Sequence, residues 1–526
     1  MNRGPIVVVG DLLLDEDIEG TADRLAPDAP APVVDVTCVR RRAGGAGLAA
    51  RLVAELAARP GDEVVLVAAL GTDADGAAAR RALGDRVRVV PLPLHGTLPV
   101  KTRVLAGGRP LVRLDRGGGR PGAATAAAEA VLRSARAVLV SDYGRGTADA
   151  LRPVLAAVAR RVPVVWDPHP RGGPPVPGTR LATPNAGEAA AFTAPPHPAS
   201  VLSAGPGSAP GHGPGSPPVS GQGSPPATPL RAHADRGTAL AERWGAAQVV
   251  VTLGAEGALL TRAGSGAPLL VPAPRVTGGD PCGAGDCFAA AVTVALGEGA
   301  LPEEAVERAV AEAAAFVAAG GASAVGEPAD DDASPRAPAA PRGSGGPAPG
   351  DALSGDASSG DASSGDASSG DAFALARRTR ARGGTVVATG GCFDLLHAGH
   401  VGLLERAGRI GDCLIVCVNS DASVARLKGP GRPLTPLADR MRVLDALGSV
   451  DAVVAFDEDT PERLLDRLRP DVWVKGGDYT ADGLPETAAL RRWGGQTVVL
   501  PYLDGRSTSS LAHRAARAAA AGSPDR

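Results

Sequence analysis

The sequence predicts an α/β fold arranged in two domains, and three observations support this prediction. The chain has 526 residues, which is too long for one hydrophobic core and suits two or three domains. Short β-branched runs alternate with Ala-rich stretches of helical periodicity in two regions, residues 1–326 and residues 385–526. Two stretches rich in Pro, Gly, Ser or Asp, about 195–233 and 327–372, contain too few apolar residues to bury a core.

The composition excludes several classes of protein. Hydrophobic residues make up 44% of the chain and charged residues 21%, which is ordinary for a soluble globular protein. The formal net charge of −3 gives no reason to expect a nucleic-acid partner. The six cysteines form no CxxC pair, and the N-terminus lacks the apolar core of a signal peptide. No apolar run is long enough to span a membrane, so we expect a cytoplasmic protein with reduced thiols.

The first domain is predicted to contain a mainly parallel sheet. Its buried-strand patterns alternate with helical segments such as 303–319, which is typical of parallel α/β domains. The insertion at about 195–233 is predicted to be disordered and without chemistry. The buried-strand patterns lie at 64–70, 137–143, 162–168 and 247–254.

The linker at 327–372 ends in three SSGDA repeats and is predicted to be disordered. As a flexible coil of about 46 residues it would span roughly 35–40 Å, so it would tether the domains without fixing their geometry. The α/β pattern then returns over about 140 residues, enough for one nucleotide-binding domain. Its strand patterns lie at 385–394, 413–419, 452–456, 472–477 and 497–503, and its first helix at 397–410.

The segment GDPCGAGDCFAAAV (279–292) is the sharpest chemical signal in the first domain. Gly283, Ala284 and Gly285 precede Asp286 at the start of an Ala-rich helix, where small residues let backbone N–H groups approach an anion. Asp286 could accept a hydroxyl proton while a γ-phosphoryl group arrives. The alternative is a simple Gly-rich turn with a helix-capping Asp.

This segment resembles the signature of the ribokinase-like carbohydrate kinases, and four further segments follow that family's order. The resemblance implies that Asn185 and Glu188 organise Mg²⁺ and phosphate through water. It also implies that Thr252, Gly254 and Gly257 lie beside the nucleotide. The four segments are Gly10–Asp11 with Asp15, Gly44–Gly45, Thr183–Asn185 with Glu188, and Val251–Gly254 with Gly257.

Within that family, the first domain is similar to the heptose-7-phosphate kinase half of bifunctional heptose enzymes. The segments that resemble it include 10–20, 26–36, 100–115, 141–146 and 167–172. The resemblance implies that Asp286 activates the anomeric hydroxyl. It also implies a set of sugar-side residues, which are Asp11, Asp15, Gly44 and Gly45, with Lys101 and Arg103 holding a phosphate or a loop.

The alternative for Lys101 and Arg103 is a solvated pair on an edge strand. Three positions depart from the family pattern: Leu48 where Asn is frequent, Cys282 where Ser or Thr is usual, and His169 where Lys is expected. These departures leave the exact sugar and the efficiency of the kinase open.

The segment TGGCFDLLHAGHVGLL (389–404) places His397 and His400 on one face of a helix N-terminus, after the Gly390–Gly391 turn. Two imidazoles and helix N–H groups form a receptor for a triphosphate and can stabilise charge as the α-phosphorus is attacked. The alternative is a metal pair with Cys392 nearby, which a Gly-Gly turn disfavours.

This string resembles the GxFDxxHxGH signature of the cytidylyltransferase-like nucleotidyltransferases. In that family Lys428 would clamp a phosphate, and Arg440 matches a family helix. The alternatives are a surface lysine at position 428 and a helix N-cap at Ser509. The residues that the resemblance places around the nucleotide are Gly390, Gly391, Phe393, Asp394, Gly477, Asp478, Arg506, Ser507, Thr508 and Ser509.

Most of 385–510 is similar to the heptose-1-phosphate adenylyltransferase half of the same bifunctional enzymes. We therefore expect a ribokinase-like kinase and a Rossmann-like HxGH domain that together make ADP-heptose. The partners would be sugar phosphates, ATP and Mg²⁺, with a homodimer through the kinase by analogy. The alternatives are the same two chemistries on another sugar or polyol phosphate with CTP, an active transferase with a regulatory kinase half, and a non-enzymatic scaffold.

Overall fold

The computed structural model describes residues 4–57, 62–194, 229–264, 267–325, 367–477 and 486–501. The strands of the first half are β1 (Ile6–Gly10), β2 (Leu12–Leu25), β3 (Pro32–Gly45), β4 (Val64–Ala69), β5 (Val87–Leu92), β6 (Leu94–His95), β7 (Val100–Ala106), β8 (Arg109–Arg116), β9 (Arg120–Pro121), β10 (Ala137–Ser141), β11 (Val164–Asp167), β12 (Leu181–Ala182), β13 (Gln248–Thr252), β14 (Ala258–Arg262) and β15 (Leu269–Val271). Its helices are α1 (Ala46–Leu56), α2 (Ala74–Leu83), α3 (Ala126–Ser134), α4 (Thr147–Ala150), α5 (Arg152–Val158), α6 (Ala186–Thr193), α7 (Pro229–Trp244), α8 (Ala284–Gly297) and α9 (Pro302–Ala318).

The main sheet of the first half has the order β15-β14-β13-β12-β11-β10-β1-β4-β5 among the described residues. Its pairs are parallel except β13–β14 and β14–β15, which are antiparallel. The central strands are buried along their whole length and rich in Val and Ile, because helices cover both faces. Buried apolar clusters lie on each side of the sheet, and α8 is packed into one of them.

A second sheet, of order β3-β2-β7-β8, stands beside the end of β1. The long antiparallel pair β2–β3 has two register irregularities, and β7 runs parallel to β2. This register places Asp15 opposite Lys101 and Asp17 opposite Arg103. The small sheet therefore places acidic and basic side chains at the same edge of the first half.

The strands of the second half are β16 (Val386–Gly391), β17 (Cys413–Asn419), β18 (Ala452–Phe456), β19 (Val472–Gly476) and β20 (Gln496–Leu500). Its helices are α10 (Ala367–Ala381), α11 (Ala398–Ala407), α12 (Asp421–Lys428), α13 (Leu437–Asp445), α14 (Glu462–Leu468) and α15 (Glu486–Arg491). The described strands form a parallel sheet of order β18-β17-β16-β19-β20, in which the chain order reverses beside β16. Ligands bind at such a reversal, beyond the carboxyl ends of the strands.

Two predicted boundaries differ from the structure. Helix α7 begins at Pro229, inside the predicted insertion of about 195–233, and α10 begins at Ala367, inside the predicted linker of 327–372. Both helices carry apolar residues that pack on their own half, such as Trp244 and Ala372. The burial of these residues therefore offsets the conformational entropy that is lost when the two helices are ordered.

The structure brings the two halves into contact through one pair of strands. Strand β15 pairs in parallel with β20, with Leu269 opposite Val499, and the Val499 N–H donates to the Pro268 carbonyl at 3.1 Å. Leu270 is buried in the same apolar cluster as residues of the second half. None of the helices in the described part of the chain combines the length and apolar character needed to cross a bilayer.

Candidate active sites

Asp286 lies in the first turn of α8, three residues after the left-handed N-cap residue Gly283, whose φ is 82°. The Tyr143 hydroxyl donates to both of its carboxylate oxygens, at 2.9 Å and 3.1 Å. Burial raises the pKa of Asp286 to about 7, a rise that the Tyr143 hydrogen bond opposes and the Asp15 charge supports. A carboxylate that titrates near neutral pH is suited to accept a hydroxyl proton.

Ala284 and Gly285 form the start of α8. The Ala284 N–H donates to the Pro281 carbonyl at 3.1 Å, so the N–H of Gly285 and the helix dipole are what favour an anion here. A Cβ built on Gly285 would meet nothing within 4 Å, so this turn faces open space. A Cβ on Gly283 would lie 3.0 Å from Leu48 Cδ2. The departure at Leu48 therefore packs against the anion-binding turn.

The small sheet places Asp15 and Lys101 near Asp286, since the charges of both side chains act on the pKa of Asp286. Gly44 lies against Asp15, because a Cβ at Gly44 would be 2.3 Å from the Asp15 Oδ2 atom. The Lys101 ammonium lies 5.7 Å from the centre of the Tyr143 ring, and burial lowers the pKa of Lys101. These three residues surround the side of Asp286 where the resemblance places the sugar.

Two further predicted sugar-side residues, Arg103 and Gly45, have contacts within or next to the small sheet. Arg103 Nη1 lies 3.4 Å from Asp17 Oδ1, and its strand β7 is internal to the small sheet, so the predicted hold on a phosphate or loop stays a prediction. Gly45 has a φ of 58° and joins β3 to α1, a left-handed conformation that glycine adopts without strain.

Asp11 has a different environment from the sugar-facing position that the sequence predicted. Its buried carboxylate accepts backbone N–H groups from Tyr143 at 3.1 Å, Arg145 at 2.9 Å and Thr147 at 3.1 Å. A carboxylate that accepts three backbone N–H groups is committed to holding that loop. In this structure Asp11 anchors residues 143–147, and its contact with the sugar stays a prediction.

The predicted nucleotide end of the kinase site comes together at the carboxyl ends of β12 and β13. Asn185 pairs with Thr252 in a parallel bridge and also caps α6, with Glu188 completing a capping box. Gly254 and Gly257 have φ values of 62° and 104° in the turn after β13. Burial raises the pKa of Glu188. Two motifs that are 67 residues apart in sequence, at 185 and 252, therefore lie side by side at the predicted nucleotide end of the site.

In the second half, His397 caps α11, and its Nδ1 accepts the Gly399 N–H at 3.1 Å. The ring centres of His397 and His400 are 4.0 Å apart in a stacked arrangement. Burial, followed by the charges of His397 and Lys428, lowers the pKa of His400 to about 4. The described residues contain no group of three or more His, Cys, Asp or Glu side chains arranged to hold a metal ion.

Gly390 and Gly391, which the sequence predicted as a turn, are the last residues of β16 and lie against the floor of the site. A Cβ on Gly390 would lie 2.6 Å from the Trp473 ring, so only glycine fits there. Phe393 is buried with a φ of 46°, and its ring lies 5.3 Å from that of His400. A strained backbone held by packing is common at functional turns.

Asp394 is fully enclosed by donors. It accepts the N–H of Leu434 at 2.6 Å and of Thr435 at 3.2 Å, and it forms an ion pair with Arg432. These hydrogen bonds and the arginine hold its pKa below the usual value against the effect of burial. Its contacts favour a role in fixing the loop after α12 over direct contact with nucleotide.

A cavity of about 480 Å³ opens above the carboxyl ends of β16, β17 and β19. Gly390, Gly391, His400 and Lys428 line it, which brings the predicted phosphate-binding residues together. Gly477 lies beside it and donates its N–H to the Leu500 carbonyl at 3.2 Å. Asp478 and the segment from Arg506 to Ser509 lie outside the described residues.

Sequence reasoning missed two pairs in these sites. Tyr143 reaches Asp286 across 143 residues of sequence. In the cavity of the second half Lys475 Nζ lies 2.8 Å from the buried Glu486, whose Oε2 finds no hydrogen-bond partner among the described residues. The only sequence signal for either pair is a polar residue beside a recognised motif, in SDYGRG and in VKGGD.

An anion-binding helix start with a buried carboxylate in one half, and a Gly-Gly turn with stacked histidines in the other, define a class of enzyme. This class joins a carbohydrate kinase to a nucleotidyltransferase. The pfkB family of carbohydrate kinases matches residues 228–330, and the cytidylyltransferase-like family matches residues 388–514. These matches confirm the predicted fold class of both halves.

Curated relatives extend over both halves. The bifunctional protein HldE of Streptomyces coelicolor is 57% identical over 518 residues, which cover 98% of this chain and 98% of that protein. The HldE proteins of Edwardsiella ictaluri and Caulobacter vibrioides are 35% and 34% identical, each covering 97% of this chain and 96% of the relative. The chain belongs to the family of bifunctional HldE proteins. This assignment confirms the predicted kinase and nucleotidyltransferase on one chain and agrees with the predicted role in ADP-heptose synthesis.

Proposed function

We propose that the first half phosphorylates heptose 7-phosphate at C1 with ATP, and that the second half joins AMP from ATP to heptose 1-phosphate. The products are heptose 1,7-bisphosphate with ADP in the first reaction, and ADP-heptose with pyrophosphate in the second. The observation that supports this most is the position of Asp286 at the anion-binding start of α8, beside Asp15 and Lys101. A separate phosphatase acts between the two reactions.

In the kinase reaction Asp286 accepts the proton of the anomeric hydroxyl. The hydroxyl oxygen forms a bond to the γ-phosphorus as the bond from that phosphorus to the ADP oxygen breaks. The N–H of Gly285 and the dipole of α8 hold the transferred phosphoryl group during this exchange. Lys101, beside the Tyr143 ring, binds the negatively charged sugar phosphate.

The residues around Glu188 fit a magnesium ion. Its Oε2 accepts the Asn185 N–H at 2.9 Å, and a carboxylate has further lone pairs for a cation. Carboxylate oxygens together with substrate phosphates and waters are the ligand set that Mg²⁺ prefers. Glu188 and Asn185 would hold the ion, which when bound neutralises charge on the phosphate oxygens.

In the transferase reaction an oxygen of heptose 1-phosphate attacks the α-phosphorus of ATP, and pyrophosphate leaves. No general base is required, because the attacking phosphate oxygen is already ionised at pH 7. Since His397 Nδ1 accepts the Gly399 N–H, the ring carries its proton on Nε2 and can donate it to a phosphate oxygen. His400 and Lys428 add donors and positive charge on the same side of the cavity.

We further propose that the enzyme acts in the cytoplasm as a homodimer and binds no nucleic acid. The small sheet of the kinase half exposes a row of large apolar side chains, which is unusual for a surface without a partner. A second copy of this chain would cover that face. These side chains are Leu25, Val36, Val39, Leu111, Val112 and Leu114.

The test uses the full chain with heptose 1-phosphate and either ATP or CTP, and measures release of pyrophosphate. We expect release with ATP only, and loss of release in His397→Ala. In parallel, heptose 7-phosphate and ATP should yield ADP, and Asp286→Asn should abolish that yield while the transferase reaction is retained. A preference for CTP or another sugar phosphate would refute the heptose assignment. A wild-type chain that lacks only the kinase reaction would indicate a regulatory kinase half.

A further inference from the structure

The Tyr143 side chain occupies a central position beside the base of the proposed kinase reaction. Its hydroxyl bridges both oxygens of Asp286, its ring lies beside the Lys101 ammonium at 5.7 Å, and the His169 ring stacks on it at 6.3 Å. Burial, followed by the charge of Asp286, raises the pKa of Tyr143 well above its ordinary value. The phenol therefore keeps its proton and acts as a permanent donor toward the carboxylate.

The backbone of Tyr143 is held from the opposite side. Its N–H and those of Arg145 and Thr147 donate to the two oxygens of the Asp11 carboxylate at the end of β1. Gly144 N–H donates in turn to Asp142 Oδ1 at 2.8 Å. A loop fixed by four hydrogen bonds to carboxylates presents the phenol at a defined place.

We propose that Tyr143 is a positioning residue for Asp286, and that Asp11 acts through it by anchoring the loop. This inference rests on the proposed kinase reaction. A carboxylate that must take a proton from a sugar hydroxyl has to present one oxygen to that hydroxyl, and rotation about its side-chain bonds would spoil the geometry. The phenol restrains that rotation and, by donating to the ionised form, stabilises it.

This role explains two features that the sugar-contact interpretation does not. The Asp11 carboxylate is buried, and its hydrogen bonds go to the loop, so its effect on the reaction would be indirect. His169, which departs from the kinase pattern, packs on the same phenol ring and supports its orientation. The groups whose charges act on or respond to Asp286 are Tyr143, Asp15, Lys101, Asp167, Cys282 and Cys287.

The test is Tyr143→Phe in the full chain, which removes one oxygen and leaves the ring. We expect the kinase kcat at pH 7 to fall about tenfold or more. We also expect the acid limb of the kinase pH profile to move to higher pH, because the ionised carboxylate loses a donor. The transferase reaction of the same molecules is the internal control and should be unchanged.

A second variant guards against a folding defect. Replacing Tyr143 by 3,5-difluorotyrosine keeps the shape of the side chain and makes the phenol a stronger donor, so the acid limb should move to lower pH. A kinase rate that falls with an unmoved limb would show a merely structural residue and overturn the proposal. An unchanged kinase profile in both variants would also overturn it. If the kinase assignment itself were wrong, the wild-type chain would lack the kinase reaction, which distinguishes that outcome from failure of the Tyr143 proposal.

Discussion

Replacing Arg440 by methionine should weaken the transferase half selectively. Arg440 is only 1% exposed, and its guanidinium donates to the carbonyls of Thr435 and Cys392 and to Asp421 Oδ1. Cys392 belongs to the Gly390–Phe393 turn that lines the transferase cavity. One side chain on α13 thus ties the loop before that helix to the phosphate-binding turn.

The size of the effect follows from these partners. The two carbonyls lose a charged donor, at a cost of about 1–2 kcal/mol each. The Asp421 side chain is half exposed and regains water, so that pair contributes less than about 1 kcal/mol. The sum is about 2–5 kcal/mol, which for a domain of this size lowers the unfolding temperature by about 10 °C.

The assay heats the full chain in steps and then measures both reactions on the same sample. Arg440→Met should inactivate the transferase at a lower temperature and leave the inactivation of the kinase unchanged. Arg442→Met is the matched control, since Arg442 lies on the same helix and is exposed. Equal loss of both reactions, or equal effects of the two variants, would refute the reasoning.

Three further predictions concern the sites themselves. The kinase rate should rise with pH through about 7, because the pKa of Asp286 is raised to about 7 and only the ionised carboxylate accepts a proton; a rate that is flat between pH 6 and pH 8 would contradict this. An Asp286→Asn chain should take up protons when it binds ATP at pH 6, because the negative triphosphate raises the pKa of His400 from its lowered value of about 4. Calorimetry in buffers of different ionisation enthalpy measures this uptake, and no uptake would contradict the prediction. Glu486→Gln should reduce the transferase kcat/KM about tenfold and spare the kinase, because Lys475 loses its buried partner, and equal activity would show that the pair has no role in the site.

The motifs predicted the chemistry of both sites, but they predicted fewer of the contacts between side chains within each site. The stacked pair His397 and His400 follows from three-residue spacing at a helix start, and the turn at Gly283 follows from its small residues. Both depend on local geometry, which a short segment determines. The family assignment confirms the bifunctional enzyme that these motifs predicted.

The remaining contacts depend on how distant segments meet. Whether Asp11 faces a sugar or a loop is decided by the path of residues 143–147, which the motif at Gly10–Asp11 does not encode. Glu486 reaches Lys475 only because α15 returns to the edge of β19. The composition of the linker likewise gave no indication that β15 and β20 would pair, since that pairing is decided by the two strand edges.

The pairing of β15 with β20 also protects the chain from self-association. An edge strand presents unpaired N–H and C=O groups that can capture a strand of another molecule. In the intact chain each of these two edges covers the other, with Leu270 and Val499 buried beside the seam. If the two halves were made as separate proteins, the side of β15 or β20 that is paired here would be exposed in each. The fused chain supplies the partner strand at high local concentration, so that side is covered.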